Sequence, residues 1–189
     1  MAENKTRTNF ETLIKGFASD DGGIPASALN AVAAAVRSAV GSFQGAQRRL
    51  DEHVSRPGLT YIDDYAHHPQ ELATAIAAIR DMFPGRKLTA VFQPHLYTRT
   101  RDFAPDFARA LSAVDELLLL DIYPAREEPI PGVTSEIIFK DVTAPEKRLL
   151  RKDELLDCLA AKPLDVLVTF GAGDIDRLVG PIKELLEKR

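Results

Sequence analysis

The chain has 189 residues, of which 45% are hydrophobic and 28% charged, with a net charge of −4. That length suits one domain with a fragment of a second, at roughly 100–200 residues per domain. No apolar run approaches the roughly 20 residues that span a bilayer, and the acidic balance offers no general attraction to nucleic-acid phosphates or anionic lipid, so neither membrane nor nucleic acid is an expected partner. The opening MAENKTRTNFETLIKGF lacks a basic region followed by an apolar stretch, and Cys158 is the only cysteine. Both features are expected of a protein of the reducing cytoplasm.

In chain order, Phe10, Leu13, Ile14 and Phe17 fall at helical spacing behind Asn9, and Asp20-Asp21-Gly22-Gly23 ends the pattern. From Pro25 to Phe43 an alanine-rich stretch carries Leu29, Val32, Ala33, Val36 and Val40 on one stripe, which predicts a second helix. Residues 1–45 therefore read as a helical segment distinct from residues 46–189. Beyond about residue 56 strand-like runs follow: LTYIDD, LTAVFQ, ELLLLDIY, RLLRK and DVLVTF. Helical periodicity lies between them at about 70–82, 102–112, 135–140, 153–161 and 174–187. The alternation predicts an α/β fold, a three-layer Rossmann-like arrangement in which a mostly parallel sheet of about five to six strands carries helices on both faces. Leu117 to Leu120 and Val166 to Val168 are apolar without alternation, which assigns these two strands to the sheet centre. Ligands of such sheets collect beyond the carboxyl ends of the strands, so function is sought in the strand-to-helix loops.

The first of these loops reads Asp63-Asp64-Tyr65-Ala66-His67-His68-Pro69, with Pro69 placed to start a helix. Carboxylates suit ribose hydroxyls, an aromatic ring stacks on a base and imidazole donates to a phosphate oxygen, so the set matches a nucleotide. Capping and packing are the structural alternative for the same residues. A mononuclear zinc site also competes, but adjacent His67 and His68 do not easily point at one ion and His95 lies on another loop, so no metal ligand is assigned. The second loop, Gln93-Pro94-His95-Leu96-Tyr97-Thr98-Arg99-Thr100-Arg101-Asp102, brings two guanidinium forks to a helix start and reads as an anion site, with a solvated pair as the alternative. A third connection holds Glu127 and Glu128, either of which could meet a substrate ammonium or simply be solvated. The Gly171-Ala172-Gly173 turn admits close approach of a ligand or tight packing equally.

Taken in order, DDYAHHP, FQPHLYTRTRDF, LLLLDIYPAREEPIPGVTS and TFGAGDI resemble the carboxyl-terminal domain of the Mur ligase family, from about Gly45 to the end of the chain. FQGAQRRLDEH resembles the family's link from its central ATPase domain, and residues 1–45 then stand as a remnant of that domain. FQPH followed by YTRTRD is similar to the branch that joins L-alanine to UDP-N-acetylmuramate in peptidoglycan synthesis, whereas DDYAHHP is shared with the muropeptide-recycling branch. The resemblance implies ATP and Mg²⁺ as cofactors, both held mostly by the central domain, and a reaction through an acyl phosphate. It implies that Asp64 contacts the ATP ribose, that Tyr65 lies against the nucleotide and that His67 faces the phosphates. Arg99 is implied as the receiver of the L-alanine carboxylate, with His95 beside it and Arg101 in support; His67 and Arg99 are the catalytic candidates. Leu96 departs from the family, which often carries an arginine there. No Gly-x-x-Gly-Lys-Thr/Ser segment occurs, so the phosphates must be cradled by the central Mur ligase domain; that domain and the amino-terminal one are the expected partners, and the chain alone is expected to lack turnover. A free-standing nucleotide- or anion-binding regulatory module is the reading from another class.

Overall fold

The computed structural model describes residues 26–42 and 45–189. The chain divides into two compact units between Gly45 and Ala46. In the first, α1 (Ala26–Ser42) forms where the alanine-rich stretch predicts it, but Leu29, Val36 and Val40 of its stripe are exposed. The helix expected over Phe10 to Phe17 lies outside the described residues.

The second unit is a six-stranded sheet in the order β1-β2-β6-β3-β4-β5. Its strands are β1 (Asp51–Arg56), β2 (Leu59–Asp64), β3 (Leu88–Phe92), β4 (Glu116–Leu120), β5 (Glu146–Leu150) and β6 (Val166–Phe170). All neighbours are parallel except β1 and β2. The helices are α2 (Pro69–Met82), α3 (Tyr97–Leu111), α4 (Glu136–Phe139), α5 (Leu155–Ala160) and α6 (Val179–Glu187), with single turns of 3₁₀ helix before the last two.

Side-chain alternation explains the layers. Leu117, Leu119, Val166, Val168 and Phe170 join Leu72, Ile76, Ile79, Phe107 and Leu111 of α2 and α3 in one core. Leu118, Leu120 and Leu167 join Leu155, Leu159, Ile182 and Leu186 of α5 and α6 in the other. An apolar run whose two faces are both covered by helices is the signature of a buried parallel strand. The three-layer α/β architecture is as expected from the sequence. The sheet centre is corrected in part: β6 is central, but β3 shares that place and β4 lies next to the edge strand β5. An unbroken apolar run reports coverage on both faces, which β4 has, and says nothing about rank in the sheet.

Two further differences bear on the site. β1 is unanticipated because only Val54 of its six residues is buried, so it shows no apolar alternation; the pairing with β2 also skips a residue at His53, a bulge. Helix α3 starts at Tyr97 and runs through a kink at Phe103, ahead of Pro105, where a regular helix was expected from residue 102. Pro105 removes a helical donor and its ring crowds the preceding turn, so the last straight segment starts where the sequence pattern does while an extra turn precedes it. Arg99 and Arg101 therefore ride on a helix rather than on a loop.

At the amino ends of the strands, ion pairs fix the sheet. Arg80 reaches Asp115 at 2.8 Å, and Lys87 and Lys162 both meet Glu116, whose side chain is almost wholly buried.

Candidate functional site

Register brings the loops together. Asp64 of β2 and Phe92 of β3 both pair with Phe170 of β6, so three strands end at one level. The chain passes from β2 through α2 to β3, leaving β6 between them. Helices α2 and α3 pack on one face while α6 packs on the other. A crevice opens at the carboxyl ends where neighbouring connections leave in opposite directions.

The β2 loop is held by its own carboxylates. Asp64 is 5% exposed, and its Oδ1 and Oδ2 accept the backbone N–H groups of Ala66 and Leu50, each at 2.8 Å. Asp64 is thereby an anchor of the loop, and a ribose hydroxyl would use the lone pairs these amides leave open. Asp63 is fully buried and accepts Thr169 Oγ1–H at 2.7 Å and Arg48 Nε–H at 2.8 Å. Arg48 also donates to Gly171 O at 2.6 Å. These bonds hold the segment before β1, in which Arg48 and Leu50 have left-handed φ of 57° and 45°. The same segment lays the Arg48 and Arg49 guanidinium groups 5.2 and 5.3 Å from the centre of the Tyr65 ring.

His67 comes next. A carbonyl only accepts, so His67 Nδ1 carries the proton it gives to Tyr65 O at 3.0 Å. Glu71 Oε2 lies 3.3 Å from the same nitrogen and accepts the backbone N–H groups of His67 and His68 at the start of α2. Partial burial raises the Glu71 carboxyl, but these amides and His67 bring it below the usual carboxylate range. His67 Nε2 is the ring nitrogen left for a ligand. His68 turns away and packs edge-on against Phe103 at 4.8 Å.

On the β3 loop, His95 sits beside His67 with ring centres 5.9 Å apart. Arg99 Nη1 lies 3.3 Å from His95 Nδ1. Arginine has no acceptor, so Nδ1 is unprotonated and the neutral tautomer carries its proton on Nε2. Burial, then the electrostatic influence of Arg99 and of His67, pushes the His95 pKa down against the opposing pull of Glu127. Glu127 itself is occupied: it accepts the Thr98 N–H at 3.0 Å and the Thr98 hydroxyl, capping the start of α3. Arg101 pairs with Asp102 at 2.7 Å in solvent, with both side chains about half exposed. Leu96, at the head of α3, has a φ of +74°, a strained value for a branched residue.

The structure therefore brings Tyr65, His67, His95 and Arg99 together above β2, β6 and β3, with Asp64 beneath them and Arg101 engaged elsewhere. Sequence reasoning missed Tyr123, whose ring stacks on His95 at 5.7 Å. It also missed Gln93, whose amide donates to Asp174 Oδ1 at 2.9 Å and whose Oε1 accepts Ile175 N–H at 3.0 Å. The only signal for either was position next to a strand end. In the Gly-Ala-Gly turn, Gly173 packs tightly: a Cβ there would lie 2.7 Å from both Gln93 Oε1 and Tyr123 Cγ. Among the described residues, no three His, Cys, Asp or Glu side chains gather to hold a metal ion.

Residues 48–173 match the family described as Mur ligase, glutamate ligase domain. The chain is 56% identical over 154 residues to the UDP-N-acetylmuramate–L-alanine ligase of Parabacteroides distasonis, covering 82% of this chain and 33% of that protein. It is 50% identical over 155 residues to the ligase of the same name from Phocaeicola vulgatus, covering 82% and 34%. The chain thus spans about a third of the length of these relatives. Among solved structures, the UDP-N-acetylmuramate-alanine ligase of Thermotoga maritima superposes with a TM-score of 0.65 at 24% identity, covering 85% of this chain and 36% of that one. The murein peptide ligase of Psychrobacter arcticus gives a TM-score of 0.62 at 19% identity, covering 88% and 38%; at such identities the likeness is one of fold. With its six-stranded sheet, its strand-end loops and a match over most of its length, the chain belongs to the Mur ligase family and comprises that family's carboxyl-terminal domain.

Proposed function

We propose that the chain serves an ATP-dependent ligase that joins L-alanine to UDP-N-acetylmuramate, and that it supplies the face that receives the amino acid and borders the nucleotide. The relatives at 56% and 50% identity bear that activity in their names. Localisation in the cytoplasm belongs to the same reading; no helix among the described residues is long and apolar enough to cross a membrane.

One observation carries the proposal: two loops from separate strands and the first turn of α3 set His67, His95 and Arg99 side by side at one sheet end. Arg99 spends one N–H on His95 and keeps the rest of its fork for a carboxylate, which it pairs in two parallel hydrogen bonds. Neutral His95 adds its Nε2–H as a donor without bringing a second proton load to the clamp. On the nucleotide side, Tyr65 offers a ring edge, Arg49 an exposed cation and His67 the free Nε2, while Asp64 fixes the loop and keeps lone pairs for a ribose hydroxyl. ATP with Mg²⁺ supplies the phosphoryl group that activates the muramoyl carboxylate. The residues of this chain orient the amine and offset developing negative charge, and the phosphate cradle comes from the central domain of the complete enzyme.

Arg99→Ala in the complete ligase is expected to raise the KM for L-alanine by about 10- to 150-fold and the KM for ATP by less than about threefold, since loss of a hydrogen bond to a charged group costs roughly 1.5–3 kcal/mol. Equal effects on both substrates would refute the clamp. The chain by itself is expected to show no L-alanine-dependent phosphate release.

A further inference from the structure

We propose that Tyr123 is the positioning residue of the amino-acid clamp, holding the His95 ring in the plane that keeps Nδ1 against Arg99. The functional consequence rests on the reading of Arg99 given above.

The backbone sets the pair up. After β3 and β4 have ended, the two chains stay joined by Tyr123 N–H to Pro94 O at 2.8 Å and Leu96 N–H to Tyr123 O at 3.0 Å. His95 and Tyr123 thus face each other in parallel register. Side chains paired in this way stand on the same side, and the two rings stack with centres 5.7 Å apart and planes 30° apart. Tyr123 is itself confined. Its Cβ and Cγ fill the space that any side chain on Gly173 would need, so the tyrosine rests on bare backbone from the β6 turn. His95 is bordered on its other contacts by the His67 ring at 5.9 Å and by Arg99 at 3.3 Å.

A histidine ring held by Arg99 alone has one hydrogen bond through one atom, about which it tilts. Stacking on a fixed neighbour removes that tilt. The result is a row of rings, Tyr123, His95, His67 and Tyr65, with successive centres 5.7, 5.9 and 5.1 Å apart. It crosses the ends of β4, β3, β6 and β2 and connects the proposed amino-acid and nucleotide contacts. The charged and titratable groups facing His95 are Arg99, His67 and Glu127.

The test uses histidine-ring ¹⁵N NMR on this chain and steady-state kinetics on the complete ligase. Parent protein is expected to show His95 as the Nε2–H tautomer. Tyr123→Phe keeps the stack and should keep that signature, whereas Tyr123→Leu should give the averaged shifts of two tautomers. In the ligase, Tyr123→Leu should raise the KM for L-alanine about tenfold, as a misplaced binding group does, with the KM for ATP within about twofold of the parent. Tyr123→Met, of similar volume, serves if the leucine variant does not fold. An unchanged His95 tautomer in folded Tyr123→Leu or Tyr123→Met overturns the proposal. A changed tautomer with an unaltered KM for L-alanine supports the positioning and overturns the clamp reading of Arg99.

Discussion

Replacing Gly173 by alanine adds one methyl group where the backbone permits it and the neighbours do not. With φ at −88°, Gly173 needs no glycine-only conformation. The new Cβ would nevertheless lie 2.7 Å from Gln93 Oε1, 2.7 Å from Tyr123 Cγ and 2.8 Å from Tyr123 Cβ, where carbon contacts settle at about 3.5–4.0 Å. Neither neighbour is free to retreat. Gln93 is held at both ends of its amide by Asp174 and Ile175, and Tyr123 by its backbone bonds to Pro94 and Leu96. Overpacking of this kind costs about 1–3 kcal/mol, which for a chain of this size lowers Tm by roughly 2–12 °C. Thermal melts of the purified chain followed by circular dichroism measure it. Gly180→Ala in α6, where nothing lies within 4 Å, is the control and should melt at or slightly above the parent, by about 0.5–1 kcal/mol of helix preference. A Gly173→Ala protein that melts with the parent would refute the argument that close packing explains this glycine.

Two further outcomes follow from buried and paired charges. Asp63→Ala leaves the Arg48 guanidinium without its carboxylate and Thr169 Oγ1 without its acceptor; breaking such a pair costs about 3–5 kcal/mol, so a denaturant midpoint equal to the parent's would sink the account of how the segment before β1 is held. Stability should fall with acid over two pH windows. His95 takes up its proton at lower pH in the folded than in the unfolded chain, so stability starts to fall below about pH 6.5. Asp115 is lowered first by its hydrogen bond from Arg80; for Glu116 and Asp174 burial acts upward, but lysine partners more than offset it. All three stabilise the fold fully above their unfolded pKa values and less as pH drops through the lower folded ones, so the decline steepens below about pH 5. A Tm constant from pH 7 to about pH 3 would contradict that linkage.

The sheet was legible because parallel strands buried on both faces write apolar runs, and VLVTF and ELLLL are buried at every position. The candidate site was legible for the related reason that polar residues crowd immediately after the strand-like runs LTYI and LTAVF, as in Asp63 to His68 and Gln93 to Arg99. β1 was hidden because an edge strand with one buried residue leaves no pattern to read. The stack of Tyr123 on His95 was hidden because it depends on two chains staying paired beyond the last residues of β3 and β4. Asp63 and Arg48 look like loop and linker charges in the sequence; their pairing requires left-handed turns at Arg48 and Leu50 that no glycine announces.

The borders of the sheet have a consequence for how the molecule behaves among its own copies. β5 exposes Glu146, Lys147 and Arg148 in succession, and β1, at the opposite margin, breaks its ladder at His53. An approaching strand would have to desolvate mixed charge on one side and follow an interrupted hydrogen-bond row on the other. Open-ended stacking of sheets into fibres is thereby disfavoured at both margins, even though the interior strands are as apolar as those of aggregating peptides.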